Sequence, residues 1–147
     1  MAISDTLPRS AVRVRTAEPA DQAFWLLRAG FTLAPILFGL DKFFNVTVDW
    51  PTYLAPWLDR IVPGDAQSFM YVVGAVEIVA GLIVATRPGF GGYLVAAWLG
   101  GIVVNLLTFD PPRFYDIALR DVGLAIAALA LARLAAAVRD GHGVARS

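Results

Sequence analysis

The sequence predicts an all-α membrane protein, a four-transmembrane-helix bundle with a short interfacial amphipathic helix between spans one and two and both termini cytoplasmic. Three observations lead there. The 147 residues are 58% hydrophobic and only 16% charged, with a mean hydropathy of +0.64, whereas an ordinary soluble domain carries roughly a quarter charged residues. The apolar residues gather into four blocks, each near the ~20 residues that a helix needs to cross hydrocarbon. Prolines and glycines fall between the blocks, where turns belong.

The same composition excludes whole classes of function. There is no cysteine and one histidine, His142, which removes disulfides, thiol redox chemistry, iron–sulfur clusters and a Cys/His zinc site; no metal site is expected. Twelve basic residues balance twelve acidic ones. A nucleic-acid partner needs a basic excess on one face and is not expected; the partner the composition calls for is the lipid bilayer.

Taken in order, residues 1–22 form a polar N-terminal tail with Arg9, Arg13 and Arg15. The apolar block behind them is too long, and too charged at its far end, for a cleaved signal peptide. The transmembrane domain covers 23–139, with spans at about 24–44, 68–86, 89–109 and 114–138, and 140–147 form a second tail. Span one is uncharged from Ala29 to Leu40. Glu77 alone interrupts span two, and span three has no charge. Span four is alanine-rich, with Arg120 and Asp121 near its start and Arg133 near its end.

Arg87-Pro88-Gly89 is a tight turn that makes spans two and three antiparallel neighbours, and Asp110-Pro111-Pro112-Arg113 separates spans three and four. In the long connection, 45–67, Trp50, Tyr53, Leu54, Trp57, Leu58 and Ile61 recur at helical spacing, with Asp59 and Arg60 on another side. That is the pattern of an interfacial segment, and it reads either as a lid sealing the bundle or as a gate over a lateral site. Orientation follows from basic flanks. Arg9, Arg13, Arg15, Arg87, Arg133, Arg139 and Arg146 share one side; Lys42, Arg60, Arg113 and Arg120 share the other with seven aspartates, Asp41 among them.

A charge at mid-membrane costs about 2.5–3.5 kcal/mol on insertion scales, so each one needs a partner or a purpose. Glu77 is the deepest, and Tyr71, Gly74, Glu77 and Gly81 share a helical face. Span one offers a matching stripe of Arg28, Thr32, Pro35, Gly39 and Lys42, with Thr32 and Pro35 expected near Glu77 in depth. Gly92, Ala96 and Gly100, beside Ala97 and Gly101, make a small-residue packing row on span three. Asp116 and Arg120 stand four apart in the favourable acid-then-base order, and Asp121 points to a different side.

Depth places Asp41, Lys42, Asn105, Tyr115, Asp116, Arg120 and Asp121 in the outer part of the bundle, with Glu77 beneath them. Two readings stand side by side. One is a register-fixing ion-pair network. The other is a polar pocket in which Glu77 is a proton acceptor, Lys42, Asn105, Arg120, Asp121 and Tyr71 bind a ligand, and Arg28, Asp41 and Asp116 are structural.

Leu26-Leu27-Arg28, Gly39 with Lys42-Phe43, the Gly74 to Leu82 run and Arg87-Pro88-Gly89, together with the alanine-rich last span, resemble the DoxX-like family of small four-helix bacterial membrane proteins over roughly residues 24–138. The resemblance implies a place in the bacterial cytoplasmic membrane and an association with quinone-linked redox systems. No covalently bound cofactor is expected. The chain lacks a self-sufficient redox centre, so at most it is a subunit of an oxidoreductase that binds quinone and docks with larger membrane redox subunits or forms a homo-oligomer. The alternative is a noncatalytic structural or assembly subunit; a small-solute carrier is a third reading.

Overall fold

In the computed structural model the backbone is described for residues 9–144 and side chains for 19–139. The side chains of Arg9, Arg13, Arg15, His142 and Arg146, which entered the charge count or the metal argument, lie outside the described residues. Five α-helices follow in order: α1 (Arg9–Phe44), α2 (Pro56–Ile61), α3 (Ala66–Thr86), α4 (Pro88–Leu107) and α5 (Tyr115–Val144), with a 3-10 segment at Trp50–Tyr53 before α2. Four are long and apolar enough to cross a membrane, over Pro19–Phe44, Ala66–Thr86, Pro88–Leu107 and Tyr115–Arg139. Among the described residues there is no strand. The protein is an all-α, multi-pass membrane protein.

The ends of the helices have local causes. α1 stops because Asn45 adopts a left-handed backbone, φ 50°, a conformation asparagine tolerates better than most residues. The Asp41 side chain then accepts from the Val46 and Thr47 amides. Asp65 caps α3 by accepting from the Ser68 amide at 2.6 Å, which holds its carboxyl below the ordinary aspartate value. Between α3 and α4 only Arg87 intervenes, and Pro88 starts α4 at the position where its missing N–H is harmless.

The connection between α1 and α3 differs from the single amphipathic helix expected. Pro51 and Pro56 each open a separate short helical segment, because proline is favoured in a first turn and disruptive farther in. Leu54 and Ala55 between them are extended and buried, whereas Ile61, expected on the apolar face, is 68% exposed.

Packing divides the bundle into two close pairs, α1 with α3 and α4 with α5, joined by a narrower α3/α4 contact and an α1/α5 contact. The α1/α3 seam rests on glycines. A Cβ added at Gly39 would stand 2.6 Å from the Gly74 carbonyl, and one at Gly81 2.7 Å from that of Thr32. Side chains are thereby excluded and the backbones meet, as small residues permit in membrane helices. Gly92 does the same on α4, where an added Cβ would lie 2.6 Å from the Ala128 carbonyl.

The expected row on span three ends there. Gly100 and Gly101 have nothing within 4 Å of an added Cβ and are exposed, since α5 covers the Gly92 face and no helix covers theirs. Two apolar clusters fill the interior, one around Phe24, Val84, Val95 and Leu131 and another around Ala55, Leu106, Phe109 and Ala118.

Candidate functional site

The antiparallel α1/α3 register sets the site. Gly39 meets Gly74, and Thr32 meets Gly81. Glu77 therefore lies opposite Gly39, and Thr32 is level with Gly81, one turn farther from the α1–α3 connection than expected. Lys42 sits near the end of α1, and its four-carbon side chain reaches inward to Glu77. The Lys42 Nζ–Glu77 Oε2 distance is 2.7 Å, with the two side chains 5% and 11% exposed. The long stem lets the ammonium leave the level of its own Cα, the inward counterpart of snorkelling. A pair so deep gains its attraction in a low dielectric and has already lost its hydration, so it holds only while both partners remain.

Trp50 closes the pair from the connection side. Its ring centroid lies 3.6 Å from Lys42 Nζ, a cation–π contact, and its indole N–H donates to Asp41 Oδ2 at 2.7 Å. Asp41 also accepts from the Thr47 hydroxyl. One carboxylate thus ends α1, folds the following residues and positions the tryptophan that covers its neighbour Lys42. Gln67 of α3 donates to the Lys42 carbonyl at 3.1 Å and accepts from Asn45 Nδ2 at 2.7 Å.

Asp121 is a second buried carboxylate, 4% exposed, close enough to Glu77 for the two charges to interact. The expected Asp116–Arg120 pair does not form. Arg120 instead reaches its sequence neighbour, with Nε and Nη2 each 3.1 Å from Asp121 Oδ1. Asp121 faces the bundle interior, where an unpaired charge costs most, and thereby captures the guanidinium while Asp116 remains exposed. Arg120 itself is 63% exposed, so the cluster runs from the buried pair to the surface of α5.

Other expected site residues are elsewhere. Tyr71 stacks on Phe43, with centroids 5.3 Å apart and planes at 3°, on an exposed flank. Asn105 spends both ends of its amide on the connection, accepting from the Ala55 amide at 2.9 Å and donating to the Tyr53 carbonyl at 2.7 Å. Trp57 adds a second latch to Thr108 Oγ1 at 2.8 Å. Arg28 works at the opposite end of the bundle, where it donates to the Ala85 carbonyl near the end of α3 and covers Trp25 at 4.7 Å.

Sequence reasoning missed Trp98. It stands on α4 beside Glu77, its indole N–H turned toward the carboxylate but outside hydrogen-bond geometry. Among the described residues it is the one buried side-chain nitrogen or oxygen without a hydrogen-bond partner. The signal was present: a tryptophan deep in a charge-free span carries a donor that needs an acceptor. Chemically, the site offers one buried ammonium, two buried carboxylates and an indole N–H beside the deeper of them. No protein-family model, curated protein or solved structure matches this chain.

Proposed function

We propose that this integral membrane protein is a subunit of a quinone-linked redox complex and that it receives a quinol head group beside Glu77. The observation that supports this reading best is the buried Lys42–Glu77 pair with Asp121 near it. Ionisable groups at that depth are expensive and usually mark a ligand or proton route. A quinol is lipid-soluble, reaches the site from the bilayer, and presents hydroxyls that a carboxylate accepts and an ammonium answers.

Oxidation of a quinol releases two protons and two electrons. Glu77, paired with Lys42, takes the two protons one at a time, each passing on before the next arrives; a positioned carboxylate is a competent general base. Asp121 and the exposed Arg120 continue the polar path to the surface. The electrons go to a redox group of a partner subunit, because this chain has no cysteine and its one histidine is His142. The DoxX-like resemblance agrees with this reading and with a bacterial cytoplasmic membrane, and the basic flanks favour an orientation with the α1–α3 connection outside and both termini inside.

The test is to isolate the native complex in mild detergent, identify its subunits and extract bound quinone. Glu77→Gln, which keeps the shape and a hydrogen bond to Lys42, is expected to abolish quinol-dependent turnover while the helices stay folded. Full quinone binding and full turnover in that variant would remove Glu77 from the chemistry.

A specific observation favours a second reading, a noncatalytic assembly subunit. Trp50 seals Lys42, and Gly100, Gly101 and Gly123 present bare backbone with nothing against it, a surface on which a partner helix packs closely. On that reading Glu77→Gln lowers stability and leaves turnover per assembled complex unchanged.

A further inference from the structure

Lys42 stands between two carboxylates, and a single ring separates it from one of them. On the bundle side its Nζ lies 2.7 Å from Glu77 Oε2. On the connection side the same Nζ lies 3.6 Å from the centre of the Trp50 ring, and the N–H of that ring donates to Asp41 Oδ2 at 2.7 Å. Asp41 and Lys42 are neighbours in sequence, yet both side chains end on Trp50, one at its N–H edge and one at its face. Lys42 is buried and Asp41 is half-buried, so the ring divides an inner acceptor from an outer one.

Which acceptor the ammonium prefers depends on the charge of Glu77. While Glu77 is ionised, a buried cation meets a buried anion and the ring lies over the cation. Once Glu77 is neutral, the ammonium keeps a neutral hydrogen bond and a ring face, and neither replaces a counter-charge in a low dielectric. The charged groups around it are few: Asp41 on α1, Glu77 on α3, and Asp121 with Arg120 on α5, while α4 carries none. Arg120 already answers Asp121. Among the described residues Asp41 has no cation; its donors are the Val46 and Thr47 amides, the Thr47 hydroxyl and the Trp50 indole. An ammonium is a stronger donor to a carboxylate than an indole is, and the flexible lysine stem that now points inward can point outward.

The geometry points to Lys42 as a two-position switch: it rests on Glu77 while that carboxyl is ionised and moves to Asp41 when Glu77 is neutralised, displacing the Trp50 indole and uncovering the connection end of the buried pair. The gate follows the protonation of the site it covers, and its bistable element is one side chain with the ring it lifts. The displaced Trp50 turns toward the membrane interface, where an apolar ring with a polar tip is accommodated. No quinol is required. Any proton donor to Glu77 engages the switch, so it stands or falls apart from the reading above.

The test follows the Trp50 indole proton of the full chain in lipid nanodiscs. The chain has four tryptophans, so nitrogen-15 indole labelling gives four resonances, and the one lost in Trp50→Phe is assigned to Trp50. Glu77→Gln holds the neutral state permanently. Exchange of the Trp50 indole proton with water is expected to be roughly tenfold faster or more in Glu77→Gln than in the native protein, the scale of losing one hydrogen bond to a charged group. In Lys42→Met with Glu77→Leu the rate is expected to return to the native value, because nothing then competes for Asp41. Helix content and thermal unfolding confirm the fold of each variant. An unchanged rate in Glu77→Gln overturns the switch, and so does a fast rate in the double variant, which would mean a loosened end and not a moving lysine. A second measurement needs no change at Glu77: on acid titration of the native protein the Trp50 indole resonance is expected to move with the Glu77 carboxyl resonance, and movement with the Asp41 carboxyl alone overturns the switch.

Discussion

Helix α3 has two antiparallel neighbours, and it treats them differently. Against α1 it is sealed along its length: Gly39 and Gly74 bring the backbones together, Gly81 repeats the contact near Thr32, Lys42 crosses to Glu77, and Arg28 ties off the far end on the Ala85 carbonyl. Against α4 it is held at one end, by the single-residue turn at Arg87 and the Gly91–Val84 contact, and the helices then separate around a groove. The difference lies in what each partner presents. α1 offers a glycine opposite a glycine and two cations that reach across; α4 offers Leu94 and Trp98 at the corresponding depth, side chains too large for backbone contact. In a bilayer there is no hydrophobic force to close such a gap, because lipid is as apolar as the walls, so a seam is as tight as its small residues and polar links make it.

The largest way to break the contrast is Lys42→Met. It strands Glu77 without a partner, and removing one member of a buried pair costs about 3–5 kcal/mol; unfolding in mixed micelles measures the loss. The double change Lys42→Met with Glu77→Leu is expected to recover most of that stability, and a double variant as unstable as the single one would show that the pair is not the seam's main cross-link.

Next comes the backbone contact itself. Gly39→Ala forces a methyl to 2.6 Å from a carbonyl oxygen, an overpacking worth about 1–3 kcal/mol. Gly100→Ala, where an added Cβ meets nothing, is expected to be neutral or stabilising by up to about 1 kcal/mol from helix propensity alone. Equal effects of the two would mean that exposure does not separate the faces.

Asn105→Ala removes two hydrogen bonds to the connection over the site. Its expected cost is about 1–3 kcal/mol, from leaving the buried Ala55 amide unpaired, and it is read locally, as faster hydrogen exchange at residues 53–55 with the α1/α3 seam unaffected.

The smallest effect is at Asp65. Its carboxyl titrates below the ordinary aspartate value because it accepts from the Ser68 amide. The cap therefore contributes fully above the unfolded-state value and is lost as pH falls through the lower folded one. Fraying of the first turn of α3 at acid pH, followed by the Ser68 amide resonance, is the expected sign, and Asp65→Asn is expected to abolish that dependence.

Much of this is legible in the sequence. Block lengths give four spans, and the Arg87-Pro88 and Asp110-Pro111-Pro112 breaks fall where α3, α4 and α5 adjoin, because hydropathy and turn chemistry act locally; α1, however, begins at Arg9, fifteen residues before the expected start of span one. Glycine and polar residues on the facing stripes of spans one and two identified which faces meet. In the connection Pro51 and Pro56 outweigh helical spacing and divide the expected single helix into two short segments. Arg120 pairs with Asp121 and not with Asp116, because i, i+4 spacing describes an isolated helix and a buried carboxylate one residue on competes more strongly than an exposed one a turn away. Tyr71 shares a helical face with Glu77 only at the margin, and on that margin it found Phe43 instead.

What the sequence determined alone was class and segmentation: a four-span α-helical membrane protein whose interior charges are few and whose deepest carboxylate is Glu77. Burial propensity, helix length and proline or glycine breaks are properties of short windows of chain, so no tertiary knowledge is needed to read them. Only the tertiary structure decided that Lys42 reaches Glu77, that Trp50 and Asp41 cover it, that Asp121 joins it, and that Trp98 lines a groove on its lipid side. Those facts depend on the relative register and rotation of helices far apart in sequence, which backbone contacts at Gly39, Gly74, Gly91 and Gly92 fix and which no window of sequence contains.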